Sequence, residues 1–370
     1  MIPHTIAAAE ALARLSEFDA VIDVRSPAEF AEDHLPGAIN WPVLDDEERI
    51  RVGTLYAQSP FEARKLGAAL VARNIARHLD AHTGEIGKAW RPLVYCWRGG
   101  QRSGAMHWFL GQIGFRSRQL IGGYKAYRAE VRAALALAPA PLDLRVLCGR
   151  TGSGKTRLLQ ALAAEGAQVL DLEALASHRG SVLGQLPGEP QPSQKRFDSL
   201  VWLSLRALDP ARPVYLESES RKIGQLRVPE ALHQAMRESP HCLWVDMPEA
   251  ARISLLLQDY GHFAADPEGF CTKLDGLISL RGKEAIKRWQ EQARAGDWAE
   301  VFGALMREHY DPGYERSLQG HYPAVATARR LSPADASPAS LAALARELIA
   351  GTPGPDLAPA LAPAPPTDSP

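Results

Sequence analysis

The stretch VYCWRGGQRSGAM, residues 94–106, places one cysteine at the head of a glycine-rich turn. An apolar strand-like run enters the turn and a helix-like run leaves it. Such turns aim backbone N–H groups inward, and the helix N-terminus adds positive potential. A thiol held there ionises more readily than a free one, and the thiolate is the nucleophile. Arg98 and Arg102 add forked donors suited to an oxyanion, with Gly99, Gly100 and Ser103 in the same turn. A lone cysteine is commonly just a small buried apolar residue. With this company, Cys96 reads as a nucleophile at an anion site.

A second chemical signal is GRTGSGKT, residues 149–156, which fits GxxxxGK[ST]. It follows the strand-like LRVLC and opens the helix-like KTRLLQALAA. Gly149, Gly152, Ser153 and Gly154 let backbone N–H groups approach phosphate oxygens; Lys155 adds a point charge, and Thr156 can ligate Mg2+. Either a nucleoside triphosphate or an organic diphosphate fits such a loop. Asp171, Glu217 and Asp246 each end a strand-like run, so any of them could sit by the metal, although such residues are more often caps and turn formers.

Four further clusters mix basic, hydroxyl and aromatic residues: SHRGSVLG (177–184), QPSQKRFDS (191–199), ESESRKIG (217–224) and HYDPGYERS (309–317). They read as loops. Singly, each is best explained as solvated surface. Together, Arg179, Lys195, Arg196, Arg221, Lys222, Tyr310, Tyr314 and Arg316 suggest a surface facing RNA or another substrate.

The positioning elements follow from pattern. AVIDV (20–24) and LVYCW (93–97) are short apolar runs suited to buried parallel strands, with helical stretches such as SPFEARKLGAALVARNIARHL between them. Strands alternating with helices predict an α/β domain over 1–137, ending after the helix YKAYRAEVRAALAL. A stiff linker is expected at 138–143. A second α/β domain with a helical extension is expected over 144–330, then a C-terminal helix within 331–351 and a disordered Pro/Ala tail over 352–370. Trp202, Phe197, Tyr215 or Trp244 could line an apolar pocket, but core packing explains them at least as well.

Composition sets the bounds. With 370 residues, 46% hydrophobic and 23% charged, the chain suits two soluble domains. A formal net charge of −1 excludes a polycation, so nucleic-acid binding would need a local basic surface. No apolar run spans a bilayer and no secretion signal opens the chain. Cys96, Cys148, Cys242 and Cys271 form neither a CxxC pair nor a disulfide framework. A reducing cytoplasm is the expected location.

The segment DVRSPAEFAEDHLPGAIN, residues 23–40, resembles the N-terminal signature of rhodanese domains, with the likeness running over about 5–135. That resemblance implies that Cys96 carries a persulfide-like group. Common rhodaneses place four residues between cysteine and arginine, whereas here five intervene, Trp97 to Gln101. Cysteine-dependent phosphatases share that longer spacing but usually have His before the cysteine, where this chain has Tyr95. The wider loop suits a phosphate-sized or selenium-bearing oxyanion.

A rhodanese-like domain followed by a P-loop NTPase-like domain, with the four downstream clusters in order, resembles the tRNA 2-selenouridine synthase family over about 5–330. The resemblance implies an enzyme that turns wobble 2-thiouridine into 2-selenouridine through an S-geranyl intermediate. Its substrates would be tRNA, geranyl diphosphate, and selenophosphate from a selenophosphate synthase. No tightly bound cofactor, structural metal or membrane is implied. Cys96 would handle selenium; Arg98, Gly99, Gly100, Arg102 and Ser103 would hold selenophosphate; and the phosphate loop would take geranyl diphosphate in preference to a nucleotide. A sulfurtransferase, a Cys-x5-Arg phosphatase or a kinase-like protein with a regulatory rhodanese module are the alternatives. The fused phosphate loop, the missing His and the downstream clusters weigh against them in turn.

Overall fold

The structure, a computed structural model, describes residues 5–137, 142–181, 183–186 and 188–351, the side chains of 315–319 excepted. Most of the expected linker and the tail from Thr352 therefore lie outside the described residues.

The N-terminal domain is a five-stranded parallel sheet. Its strands are β1 (Thr5–Ile6), β2 (Ala20–Asp23), β3 (Ala38–Asn40), β4 (Pro92–Tyr95) and β5 (Arg118–Leu120), in the order β1-β5-β4-β2-β3. β4 is buried along its whole length and β2 along most of it, because both faces of a parallel sheet are covered. Asp23 and Tyr95 are register partners. The DVRS segment and the CWRGG turn therefore emerge side by side at the carboxyl edge, where open α/β sheets hold ligands. Ser26 and Glu29 form the capping box of the helix Pro27–Glu32, as the spacing in SPAE dictates.

The second domain repeats the logic. β6 (Leu144–Cys148), β7 (Gln168–Leu170), β8 (Val214–Glu217), β11 (His241–Val245) and β12 (Arg329–Leu331) form a parallel sheet ordered β12-β11-β6-β8-β7. A hairpin of β9 (Lys222–Ile223) and β10 (Leu226–Arg227) lies outside it. Leu147 in β6 is level with Glu217 in β8, which brings the phosphate loop beside the acid that ends β8. The last helix, Pro338–Ala350, packs on the helix Lys155–Ala164 that follows the phosphate loop, and β12 before it adds an edge to the sheet. The chain thus returns to this domain at its end.

Two clusters expected as loops are helical. Ser193 caps the helix Gln194–Arg206, so Lys195 and Arg196 occupy its first turn. The apolar spacing of Phe197, Val201, Trp202 and Leu205, all buried, decides the matter. HYDPGYERS runs from a π-helical turn, Met306–Tyr310, into the helix Asp311–His321. The wide turn comes just before Pro312, which has no N–H to continue an α-helical ladder.

One apolar core joins the two domains. Tyr124, Tyr127 and Val131 from the helix Gly123–Leu137 share a cluster with Phe197, Val201 and Trp202. Tyr127 and Trp202 meet edge to face at 5.8 Å. A polar knot lies over this contact. Arg128 donates to Asp198 at 2.8 Å and to Ser199 at 3.1 Å, and stands 3.7 Å from Asp33. Asp33 also accepts from Ser199 and Tyr124, each at 2.9 Å. Burial nevertheless pushes the Asp33 carboxyl up from its ordinary value.

Candidate functional site

The first site sits at the carboxyl end of β4. Cys96 is buried at the base of its turn, and the Ser103 hydroxyl donates to its sulfur at 3.3 Å. Gln119, from β5, donates to the Gly100 carbonyl at 2.8 Å and to the Ser103 oxygen at 2.9 Å. Gly100 has φ +75°, and a Cβ there would come within 2.9 Å of the Gln119 amide. Behind the turn, Tyr124 N–H donates to the Cys96 carbonyl at 2.8 Å and Lys125 N–H to the Trp97 carbonyl at 3.0 Å. That close approach needs Gly123, whose Cβ would collide with the Cys96 carbonyl oxygen.

The two arginines of the turn part company. Arg102 points back to Glu29 at 3.0 Å, and that contact holds the Glu29 carboxylate below its usual range despite burial. Arg98, Gly99 and Trp97 are exposed at the mouth. Arg25, from DVRS, is fully buried, pairs with Asp23 at 2.6 Å and lies 3.9 Å from the Tyr124 ring centre. It braces the floor of the site and does not reach the mouth. Sequence reasoning did not single out Gln119, Glu29 or Gly123 for this site, because each reaches the turn from a different part of the chain.

The second site is a cavity of about 640 Å3 at the end of β6. Gly149, Gly152 and Gly154 all adopt positive φ. A Cβ on Gly149 would press on the Val245 carbonyl and the Ser153 hydroxyl. The Lys155 ammonium donates to the Gly149 carbonyl at 2.9 Å and lies 5.0 Å from the Tyr314 ring centre. The Ser153 hydroxyl is buried without a partner, a free donor inside a loop made of donors. Arg252, buried, donates to the Thr151 carbonyl at 2.6 Å and 2.9 Å and pairs with Asp311 at 2.6 Å, which fastens the loop to the helix after the π turn.

Among the three candidate acids, Glu217 is the one at the loop. It is buried beside Thr156, and one of its oxygens has no partner. Asp171 instead caps the helix Leu172–Leu175, accepting from Ala174 N–H at 2.8 Å, and Asp246 is exposed. Two glutamates that the sequence did not flag complete a group. Ligand atoms of Glu173, Glu217 and Glu219 lie within 4.8 Å of one another. Burial and the neighbouring Glu217 push Glu173 up to about 8. Burial raises Glu217, with Lys155 opposing, and holds Glu219 well above the ordinary glutamate range. Three carboxyls whose ionisation is opposed chiefly by burial could hold a divalent cation.

The remaining expected residues divide. Arg179, Tyr310 and Tyr314 line the cavity, with Leu255, Leu256, Tyr260 and Leu280. Arg179 donates to the Asp259 carbonyl at 2.6 Å, and Tyr314 shares a 2.6 Å hydrogen bond with Ser218. Lys195 pairs with Glu32 at 2.6 Å across the domain junction, and Arg196 is in the same helical turn near Asp33. Arg221 and Lys222 are exposed at the hairpin. The Arg316 side chain lies outside the described residues. Phe197, Trp202, Tyr215 and Trp244 are core residues, and none lines the cavity.

A buried thiol in an anion-binding turn, joined to a phosphate loop, defines a two-domain rhodanese and P-loop protein. A rhodanese-like domain model matches residues 7–130, and one for the AAA domain of tRNA 2-selenouridine synthase matches 142–270. A tRNA 2-selenouridine synthase from Marinobacter nauticus is 35% identical over 80% of this chain and 88% of that protein. Another, from Nitrosomonas europaea, is 39% identical over 65% of this chain, a match spanning 63% of the relative's length. The chain belongs to the tRNA 2-selenouridine synthase family. Among solved structures, a rhodanese-related protein from Thermoplasma volcanium is 20% identical over 34% of this chain, with a TM-score of 0.24. Among the described residues, no helix is long and apolar enough to cross a membrane.

Proposed function

We propose that this chain modifies tRNA, replacing the sulfur of wobble 2-thiouridine by selenium in two steps divided between its sites. In the first, the thiocarbonyl sulfur attacks C1 of geranyl diphosphate and diphosphate leaves. In the second, the selenium of selenophosphate adds to C2 and geranyl thiol departs, and water then cleaves the Se–P bond, releasing phosphate and leaving selenium on C2. Alkylation makes sulfur a better leaving group, which is why the order matters.

The observation that carries the reading is the mixed character of the second cavity. Phosphate-loop donors and Lys155 share the cavity lining with Leu255, Leu256, Leu280 and Tyr260. An amphiphile with a diphosphate head and an apolar tail suits that mixed lining, in which Leu280 is exposed. Glu217 and Thr156, with Glu173 and Glu219, would hold a Mg2+ ion there. Such an ion would neutralise the diphosphate. Lys155 and the loop N–H groups orient the head and stabilise the charge on the departing diphosphate. In the other domain, Cys96 handles selenium. Arg98 and the amides of the turn take the phosphate portion, while Arg102, tied to Glu29, fixes the shape of the turn. An exchange confined to tRNA needs the basic mouth and cavity residues, not a cationic chain.

The test is mass spectrometry of wobble nucleosides after incubation with thiolated tRNA, geranyl diphosphate and selenophosphate, without ATP. S-geranyl-2-thiouridine should accumulate without selenophosphate, and 2-selenouridine should form with it. Lys155→Ala should depress the first product. Geranylation unaffected by that substitution would leave the phosphate loop to a nucleotide.

A further inference from the structure

Trp97 stands at the entrance to the Cys96 turn with no role in either step as written. A tryptophan is usually well buried, yet this one is 38% exposed. It is not loose. Its carbonyl accepts from Lys125 N–H at 3.0 Å, and its ring centre lies 5.4 Å from that of Tyr124, tilted by 31°. Tyr124 is itself buried and braced by the Arg25 guanidinium at 3.9 Å. The indole is therefore held by a rigid aromatic support while part of it meets solvent.

The surroundings suit a nucleic acid. Arg98 and Lys125 flank the indole, both exposed, and the Arg98 side chain has no hydrogen bond or ion pair among the described residues. Ile121, 53% exposed, follows β5 on the same sheet edge. Cys96 is only 3% exposed, so a base inside a stacked strand does not reach its sulfur. The base must turn out and enter the mouth, where an aromatic face compensates for lost stacking.

We propose that Trp97 is the stacking platform for the target nucleobase at the selenium site, with Lys125 holding an adjoining RNA phosphate and Arg98 left to selenophosphate. The proposal rests on the tRNA-modifying reading and adds a positioning residue to it. Aromatic stacking of this kind gives affinity without reading sequence, so Trp97 acts on capture and presentation of the base, not on the chemistry of the thiol.

The two half-reactions separate the outcomes. With full-length protein and anticodon stem-loop RNA carrying S-geranyl-2-thiouridine, Trp97→Ala should raise KM for selenium incorporation by about 10-fold or more, while Trp97→Phe keeps a ring and stays within about threefold. Geranylation of the 2-thiouridine RNA, which uses the other domain, should be unchanged in both variants. An unchanged KM in Trp97→Ala would overturn the proposal, as would equal losses in the alanine and phenylalanine variants. A parallel fall in geranylation would also overturn it, because Trp97 would then be serving the fold. A partner protein docking on Trp97 in place of RNA would show as a lower kcat with KM for RNA intact. Wild-type protein that makes neither product would sink the functional reading itself, and this proposal with it.

Discussion

Removing one charge from the glutamate group beside the phosphate loop should stabilise the ligand-free protein, increasingly as pH rises from about 4.5 toward 8. The variant is Glu173→Gln. An unfolded glutamate titrates near 4.5, whereas the folded Glu173 is pushed up to about 8 by burial and by Glu217. Between those values the native state binds more protons than the unfolded state. Stability from this group is therefore intact below about pH 4.5 and falls as pH rises toward 8. Carried by one carboxyl alone, the shift corresponds to roughly 5 kcal/mol. Shared among three coupled carboxyls lining a solvated cavity, about 1–3 kcal/mol is the realistic effect. For a domain of this size each kcal/mol moves Tm by about 2–4 °C. Thermal unfolding of wild type and variant at pH 5.5 and 8.5, with chelator and then with millimolar Mg2+, reads this directly. The variant should melt higher than wild type at pH 8.5 with chelator, by a smaller margin at pH 5.5, and gain less from Mg2+. Equal melting at both pH values would refute the reasoning, because the carboxyls would then not be confining charge against one another.

Other expectations concern the thiol site and the junction. Cys96→Ser should abolish selenium incorporation while a gel shift finds tRNA affinity within about twofold of wild type, since the nucleophile is lost and the surface is not. Gly123→Ala places a Cβ against the Cys96 carbonyl at positive φ, so it should cost about 1–3 kcal/mol and displace the turn. The readout is alkylation of Cys96 by iodoacetamide together with loss of selenium incorporation, while geranylation persists. Arg128→Met strips Asp33 of its cation across the domain junction and should lower stability in urea unfolding by about 3–5 kcal/mol. Adding Asp33→Asn should recover part of that loss, and no recovery would mean that packing, not charge, fails there.

The motifs that a continuous stretch of chain can spell were legible early. GRTGSGKT needs only its own backbone and the strand and helix on either side, so its place at the end of β6 follows from order along the chain. The same holds for Cys96 at the end of β4. The clusters expected as loops were misread where polar composition hid a helical period. QPSQKRFDS carries part-buried charges that pair across the domain junction, on a helix whose buried side reaches Leu205.

The sequence by itself determined two α/β domains, a thiol turn and a phosphate loop, because each of these is built from local hydrogen bonds and residue type. Only the tertiary structure decided which acid joins the phosphate loop, since Asp171, Glu217 and Asp246 all end strands and the choice depends on which side chain packing buries at the loop. β8 and β11 both flank β6, but Glu217 is buried beside Thr156 with Glu173 and Glu219 close by, whereas Asp246 after β11 is exposed and Asp171 turns to cap a helix. The same limit explains Arg98 and Arg102, which stand four residues apart in one turn. A long-range partner, Glu29, claims Arg102 and leaves Arg98 at the mouth. Which side chain faces a ligand depends on what else competes for its charge, and that competition is set by segments far away in the chain.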